Sequence, residues 1–245
     1  MENAQLVSLS RQIGLQRQMD VLANNMANVN TTGFKAEALL FEAFEMPVAR
    51  DRSFAYSDQN LAFTQDWATL TDLTPGALME TGNPLDVAVM GEGFLSVDTP
   101  QGARWMRGGA LQIDAQGTLT DIAGRPVVTD IGPVTFGPEE TDISISADGL
   151  ITTQNGIKAR LQVTEFVNPQ ALVREGDNLW SGGEPQPATE TRIRQGALER
   201  SNVSGIAEMA EMIRVQRSYQ SLASLMQRQD EMRRTAIQRL GDISA

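Results

Sequence analysis

The sequence predicts an α+β protein: long N- and C-terminal helices form a coiled-coil-like helical domain, and a central antiparallel β-rich domain is inserted between them. Two observations predict this arrangement. First, 16 of the 21 glycines and nine of the ten prolines lie between Pro75 and Pro187. Second, both ends of the 245-residue chain are almost free of glycine and proline and rich in Gln, Arg, Ala, Met and Leu, which favour helix.

The first helix is predicted from about Asn3 to about Asn28. Its main apolar stripe advances by alternating steps of four and three residues, which is heptad spacing. The stripe consists of Leu15, Met19, Leu22, Met26 and Val29, and a second short stripe consists of Leu6, Leu9 and Ile13. The segment from Asn28 to Gly33 is expected to end the helix, because Asn and Thr side chains compete for backbone hydrogen bonds and glycine tolerates a positive φ.

The last helix is predicted to begin near Asn202 or Ser204, either of which can cap it, and to run to about Leu240. Its stripe advances by steps of three and four residues and consists of Met212, Val215, Tyr219, Leu222 and Met226. An uncovered apolar stripe on a long helix favours aggregation unless something packs on it. The spacing leaves two interpretations open, namely packing within one chain and assembly with other chains.

Short alternating segments separated by glycine turns predict antiparallel strands in the middle of the chain. Gly91-Glu92-Gly93 is expected to be the turn of a hairpin, and Ala115-Gln116-Gly117 the turn of a second one. The segment before the strands has no clear period and carries Phe41, Phe44, Phe54, Tyr56, Phe63 and Trp67. The predicted domains are 1–35 with 196–245 (helical), 36–74 (extended connector) and 75–190 (β-rich).

The side-chain inventory excludes several kinds of site. The chain has no cysteine and no histidine, so it cannot form a triad that contains histidine or a zinc site of Cys and His. Carboxylates remain, and Asp86, Glu92 and Asp98 could converge around one hairpin, as the paired acids of a glycoside hydrolase do. Almost any three of the 31 acidic residues could be chosen in this way. The sequence therefore disfavours an enzyme and implies no cofactor and no metal. A glycan hydrolase and a soluble β-rich binding module stay as alternatives.

The charge pattern bears on partners. Residues 36–191 carry 23 acidic and eight basic side chains, whereas both ends are mildly basic. An acidic body argues against nucleic acid as a partner. The start of the chain lacks the basic and apolar regions of a signal peptide, and no segment approaches the ~20 apolar residues that span a bilayer. We expect no membrane span and no cleavable signal.

Three segments resemble the flagellar basal-body rod and hook protein family. Leu22–Lys35, which reads LANNMANVNTTGFK, closely resembles the N-terminal signature of the family. Gly82–Phe94, which reads GNPLDVAVMGEGF, is similar to the entry into its central β domain, and Gly196–Tyr219 contains a segment similar to its C-terminal block. The resemblance spans the chain. It departs at Trp105–Leu111, where the family usually shows Tyr-Thr-Arg and a terminal Phe, and at Leu95, where Phe is common.

The opening Met1-Glu2-Asn3, the segment Leu9–Gln12 and the modest length resemble the proximal-rod members most. A distal-rod subunit is the close alternative, and the hook protein is a weaker match because hook subunits tend to be larger. The resemblance implies a structural, non-enzymatic protein, because members pack in helical arrays into a hollow axial shaft that passes torque from motor to hook. It also implies export through the flagellar export apparatus and assembly in the periplasmic space. The implied partners are proximal and distal rod subunits, further copies of this chain and the export apparatus.

The resemblance and the helical stripes together predict an assembly interface on the terminal helices and their motifs. Its expected residues are Leu15, Met19, Leu22, Asn24, Asn25, Met26, Asn28, Val29, Asn30, Thr31, Gly33, Phe34, Ser201, Asn202, Val203, Met209, Met212, Ile213, Val215, Tyr219, Leu222 and Met226. We expect these helices to order fully only on assembly, because an isolated helix takes most of its stability from packing.

Overall fold

The computed structural model describes residues 2–45 and 62–242, which divide into two compact units. The first unit consists of the described residues of Met1–Ala27, Glu37–Leu70 and Ser204–Ala245, and the second of Asn28–Ala36 and Thr71–Val203. The predicted division into three domains stays a prediction. Residues 46–61 of the predicted connector, with Phe54 and Tyr56, lie outside the described residues.

The first unit contains two helices and a two-stranded sheet. Its elements are α1 (Glu2–Ala27), β1 (Glu37–Glu45), β2 (Ala62–Thr71) and α2 (Gly205–Asp242). Both helices lie close to the predicted positions, because glycine and proline are scarce in these segments. The Ser204 carbonyl accepts a hydrogen bond from the Glu208 N–H at 2.9 Å, so Ser204, and not Asn202, holds the cap position of α2.

The coiled-coil part of the predicted fold class is wrong. In residues 2–45 and 62–242 the two α-helices share one short apolar seam, in which three side chains are buried and four are partly buried. The seam consists of Leu15, Leu22 and Val215 with Met19, Met212, Tyr219 and Leu222. The α1 residues before the seam, Leu6, Leu9 and Ile13, are about half exposed. What holds is the α+β class, with a helix at each end and a β-rich middle.

Two physical reasons explain the error. A coiled coil needs a repeat sustained over about three or four heptads, whereas each stripe here covers about two. The surface of α1 is also shared with the β1–β2 sheet. Phe41 lies where a side chain at Gly14 would project, the Arg11 guanidinium lies 5.7 Å from the Phe41 ring centroid, and the Thr64 N–H donates to Ser10 Oγ at 3.4 Å.

The second unit is built from short strands, and every strand pair is antiparallel. The strands are β3 (Leu78–Glu80), β4 (Asp86–Met90), β5 (Phe94–Thr99), β6 (Gly102–Met106), β7 (Gly108–Ile113), β8 (Leu119–Asp121), β9 (Val128–Thr129), β10 (Gly132–Pro133), β11 (Ser144–Ile145), β12 (Leu150–Thr153), β13 (Gly156–Arg160), β14 (Val163–Phe166), β15 (Val173–Arg174), β16 (Trp180–Ser181), β17 (Pro185–Pro187), β18 (Arg192–Gln195) and β19 (Ala197–Glu199).

Three larger sheets surround one apolar core. Their strand orders are β15-β16-β6-β5-β14-β17, β18-β4-β7-β8 and β11-β12-β13, and β9–β10 and β3–β19 form separate pairs. Val87, Leu95, Val97, Val127 and Ile151 are completely buried in this core. A second cluster is aromatic, with Phe94, Phe166 and Trp180 in edge-to-face contacts.

The predicted hairpin at Gly91-Glu92-Gly93 is wrong, whereas the second predicted hairpin is confirmed. β4 pairs with β18 and β7, while β5 pairs with β6 and β14, so this segment carries the chain from one sheet to another. Gly93 is required by close packing, since a Cβ there would lie 2.6 Å from Thr191 Oγ1 and 2.8 Å from Val163 Cγ1. The segment Ala115–Gly117 joins the paired strands β7 and β8 as expected.

Glu140 gives the second unit an acid-sensitive contact. Its Oε2 accepts a hydrogen bond from the Gly137 N–H at 2.8 Å and lies 2.8 Å from Lys158 Nζ, and its Oε1 accepts from Asn155 Nδ2 at 3.2 Å. Lys158 first, and then the Gly137 N–H, lower the pKa of Glu140 from 4.5 to about 2. The contribution of Glu140 to stability is therefore present above the ordinary carboxyl pKa and is lost as the pH falls towards about 2.

We expect the urea midpoint of the second unit to fall more steeply between pH 4.5 and pH 2 in the wild type than in Glu140→Gln. Urea unfolding at half-unit pH steps measures this difference, and Glu139→Gln, at the neighbouring exposed acid, is the control. Parallel declines in the wild type and Glu140→Gln would contradict the assignment.

Candidate functional site

The N-terminal motif, the C-terminal motif and the segment Trp105–Leu111 each contribute one buried charged residue to a cluster in the second unit. Lys35 ends the N-terminal motif, Arg107 lies between β6 and β7, and Glu199 ends β19 in the C-terminal motif. Each of the three residues is at most 3% exposed. Burial of charges at this depth requires pairing, so we take this ion cluster as the organising site of the family motifs.

Glu199 is the centre of the ion cluster. Its Oε1 lies 2.5 Å from Lys35 Nζ and accepts a hydrogen bond from the Gly76 N–H at 2.8 Å. Its backbone carbonyl accepts from the Gly33 N–H at 2.8 Å. Lys35 Nζ also donates to the Thr74 carbonyl at 2.8 Å. One residue of the C-terminal motif therefore contacts both the N-terminal motif and the segment that precedes β3.

Arg107 connects the ion cluster to the crossing between the two sheets. Its Nε lies 3.5 Å from Glu199 Oε2, and its other nitrogens donate to the carbonyls of Gly93 at 2.5 Å and Gly91 at 2.7 Å. The carbonyls of Gly91 and Gly93 thus bond the Arg107 side chain instead of the backbone of a paired hairpin strand.

The electrostatics of the ion cluster are dominated by burial. Burial, and then the charge of Arg107, lower the pKa of Lys35, while its bond to Glu199 acts in the opposite direction. Burial also lowers the pKa of Arg107, again opposed by Glu199. Two cations share one carboxylate, so removal of Glu199 would leave both without their ion-pair partner among the described residues.

The turn at the end of the N-terminal motif has the geometry expected from its sequence. Gly33 has φ +69, which confirms the predicted positive φ. A Cβ at Gly33 would lie 3.4 Å from Arg107 Cβ. Phe34 is buried, and the Cζ atom of the Arg174 guanidinium lies 4.1 Å from the centroid of its ring, in a cation–π contact.

Two asparagines predicted at an assembly interface bind backbone groups of their own unit. In the first unit, Asn25 accepts from the Glu37 N–H at 3.0 Å and donates to the Glu37 carbonyl at 2.8 Å. In the second unit, Asn202 accepts from the Ala36 N–H at 2.7 Å and donates to the Asp72 carbonyl at 2.8 Å. Each side-chain carboxamide therefore bonds one backbone N–H and one backbone carbonyl, as the backbone of a neighbouring strand would.

The predicted interface residues differ widely in burial within the chain. The buried ones are Leu15, Leu22, Asn25, Gly33, Phe34, Val203 and Val215. The partly buried ones are Met19, Met26, Asn28, Val29, Thr31, Ser201, Asn202, Met212, Tyr219, Leu222 and Met226. The exposed ones are Asn24, Asn30, Met209 and Ile213. Their role in assembly stays a prediction.

The three acids considered for glycan hydrolysis differ in burial. Asp86 is buried at the start of β4 and accepts from Asn83 Nδ2 at 2.8 Å, whereas Glu92 and Asp98 are exposed. Within the described residues, no group of three or more acidic side chains is placed to hold a metal ion. The helices of the described chain include none that is long and apolar enough to cross a membrane.

The ion cluster was missed at the level of the sequence, although Lys35 and Glu199 lie inside recognised motifs and Arg107 lies in the segment Trp105–Leu111. One signal was present: Lys35 is one of only two lysines and follows Gly33-Phe34 at the end of the N-terminal motif. Nothing local indicates that its partner lies 164 residues further along the chain.

Models of flagellar protein families match three parts of the chain. A flagellar basal body rod protein model matches residues 6–35, a D1-domain model of the flagellar hook proteins FlgE/F/G matches 88–153, and a C-terminal model of the rod proteins FlgEFG matches 194–239. The first and last of these contain Lys35 and Glu199, and the middle one contains Arg107.

Relatives match over the whole length of the chain. The rod protein FlgF of Caulobacter vibrioides is 35% identical over 100% of both chains, and FlgF of Mesorhizobium japonicum is 31% identical over 100% of both. The rod protein FlgG of Agrobacterium fabrum is 31% identical over 89% of this chain and 91% of its own. The chain therefore belongs to the flagellar basal-body rod protein family, is most like the FlgF members, and is a structural rod subunit of the flagellar basal body.

Proposed function

We propose that this subunit occupies the proximal rod and packs there, with further copies of itself and with proximal and distal rod subunits, in a helical array. It reaches that place through the flagellar export apparatus, and it assembles in the periplasmic space. The full-length match to FlgF proteins supports the proximal position over the distal one, since the FlgG match covers 89% of the chain.

Exposed apolar stripes on both helices of the first unit carry this proposal. On α2, Ile206, Met209 and Ile213 are 82%, 54% and 51% exposed, and on α1, Leu6, Leu9 and Ile13 are 53%, 45% and 51% exposed. Each trio has the spacing i, i+3, i+7, which places it on one helix face. At ~100° per residue, both trios point well away from the seam between the helices. A contact between such a stripe and a different surface of a neighbour builds an open helical filament when the rotation between neighbours does not close a ring.

The test is a charge placed in the α2 stripe. We expect Ile213→Glu, expressed in cells that lack the native subunit, to lower the yield of complete rods and the motile fraction at least ~10-fold, because a carboxylate would be buried at the contact. Electron microscopy of isolated basal bodies and motility counts measure both effects. The thermal midpoint of the purified subunit should stay unchanged, since Ile213 is exposed in the single chain.

Ser218→Glu is the matched control. Ser218 is exposed on the same helix, five residues from Ile213 and therefore ~140° around the helix axis. This variant adds the same charge and should assemble like the wild type. Normal incorporation of Ile213→Glu, or equal loss with both variants, would contradict the proposed contact.

A further inference from the structure

We propose that Glu199 acts as a latch: the segments 28–36 and 72–77 dock onto the rest of the second unit only when the C-terminal motif brings this carboxylate to Lys35 and Arg107. The inference concerns folding of the single subunit and does not depend on rod assembly.

The first step is the isolation of the Lys35 charge. Lys35 is completely buried, and among the described residues Glu199 is the carboxylate that bonds its ammonium group. A buried ammonium group without such a partner strongly destabilises the folded state, because its lost hydration is not compensated. Docking of Lys35 before Glu199 arrives is therefore unfavourable.

The second step is the set of backbone bonds that the C-terminal motif supplies. Besides Gly33 and Gly76, the motif satisfies the Ala36 N–H through Asn202, and the Arg200 N–H donates to the Ala77 carbonyl at 2.9 Å. β19 also pairs with β3 over Leu78–Glu80. Lys35 thus takes its charge partner from residues 197–202, and the segments 28–36 and 72–77 take much of their hydrogen bonding from the same residues.

The third step is the independence of the remaining core. The sheet β11-β12-β13 and the sheet β18-β4-β7-β8 are built from residues between Asp86 and Gln195. None of these strands includes Lys35 or Glu199. The core can therefore form while the latch is open, which makes closure of the latch a late and local step.

Hydrogen–deuterium exchange on the full chain tests the latch. In Glu199→Gln we expect exchange to rise at least ~10-fold in peptides covering 28–36 and 72–77, with unchanged protection in peptides covering β12 and β13. The amides of Gly33, Ala36, Asp72 and Gly76 report on closure, because each is hydrogen-bonded within this region. Equal protection in the wild type and the variant, or a uniform rise over the whole second unit, would overturn the proposal.

Two further variants separate charge pairing from simple loss of contact. Lys35→Met removes the cation that needs the latch, so the double variant Lys35→Met/Glu199→Gln should exchange more slowly in 28–36 than Glu199→Gln alone. Where Glu199→Gln alone does not fold, folding of the double variant supports the latch and failure of both contradicts it. A double variant that is at least as labile as the single one contradicts it as well.

Glu140→Gln is the matched control, because it makes the same chemical change at another buried carboxylate of the second unit that pairs with a lysine. Its exchange should rise near residues 137–158 and stay unchanged in 28–36. A rise in 28–36 from this variant would show that any loss of a buried ion pair loosens the N-terminal motif, and the latch would be refuted.

Discussion

Alanine in place of Gly76 is expected to destabilise the second unit by about 3 kcal/mol or more, because overpacking against backbone leaves no side chain that can move aside. A Cβ at this position would lie 1.9 Å from the Arg200 carbonyl oxygen and 3.0 Å from its carbon. The Gly76 N–H also donates to Glu199, so a shift of the backbone would weaken the ion cluster. Urea unfolding followed by tryptophan fluorescence measures the loss.

Gly176→Ala is the control for this prediction. No atom lies within 4 Å of a Cβ built at Gly176. Its free energy of unfolding should stay within about 0.5 kcal/mol of the wild type, as for most surface substitutions. Equal stabilities of the two alanine variants would show that Arg200 and Gly76 separate at little cost and would contradict the prediction.

Leu15→Asp is expected to open the helical seam of the first unit. Leu15 is 3% exposed and packs in the seam with Leu22 and Val215. A carboxylate there loses the apolar contact and is taken out of water, at a cost of about 3–5 kcal/mol. Limited proteolysis read by mass spectrometry should show at least tenfold faster cleavage within α1 and α2, while fragments covering Asp86–Gln195 survive as in the wild type.

Leu9→Asp provides the comparison on the same helix, because Leu9 is half exposed. Its cleavage in solution should match that of the wild type, even though Leu9 lies in a stripe proposed to contact neighbouring subunits. Similar cleavage of Leu15→Asp and the wild type would mean that the seam does not hold the helices together.

The elements that could be predicted are those decided by local physics. α1 and α2 follow from long segments almost free of glycine and proline, and their ends follow from polar caps. The positive φ of Gly33 follows from its place after an Asn- and Thr-rich turn. The β7–β8 pair follows from two alternating segments around a short glycine turn.

The elements that could not be predicted depend on contacts between distant residues. Heptad spacing shows that a helix has an apolar stripe, but not how far a second helix follows it, and Gly14 gave no sign that Phe41 would pack there. The spacing around Gly91 fits a hairpin equally well until Arg107 and the second sheet are known. The partnership of Lys35 with Glu199 spans 164 residues and has no local signature.

The ion cluster has a consequence for a chain without cysteine. It ties together positions 164 residues apart, as a disulfide could, but the tie exists only in the folded state. A disulfide would restrict the unfolded chain, whereas these charges separate on unfolding and leave it linear. The cross-link is therefore reversible and insensitive to oxidants and reductants. The same chain can pass through a narrow conduit as an open polymer and still close this 164-residue loop afterwards.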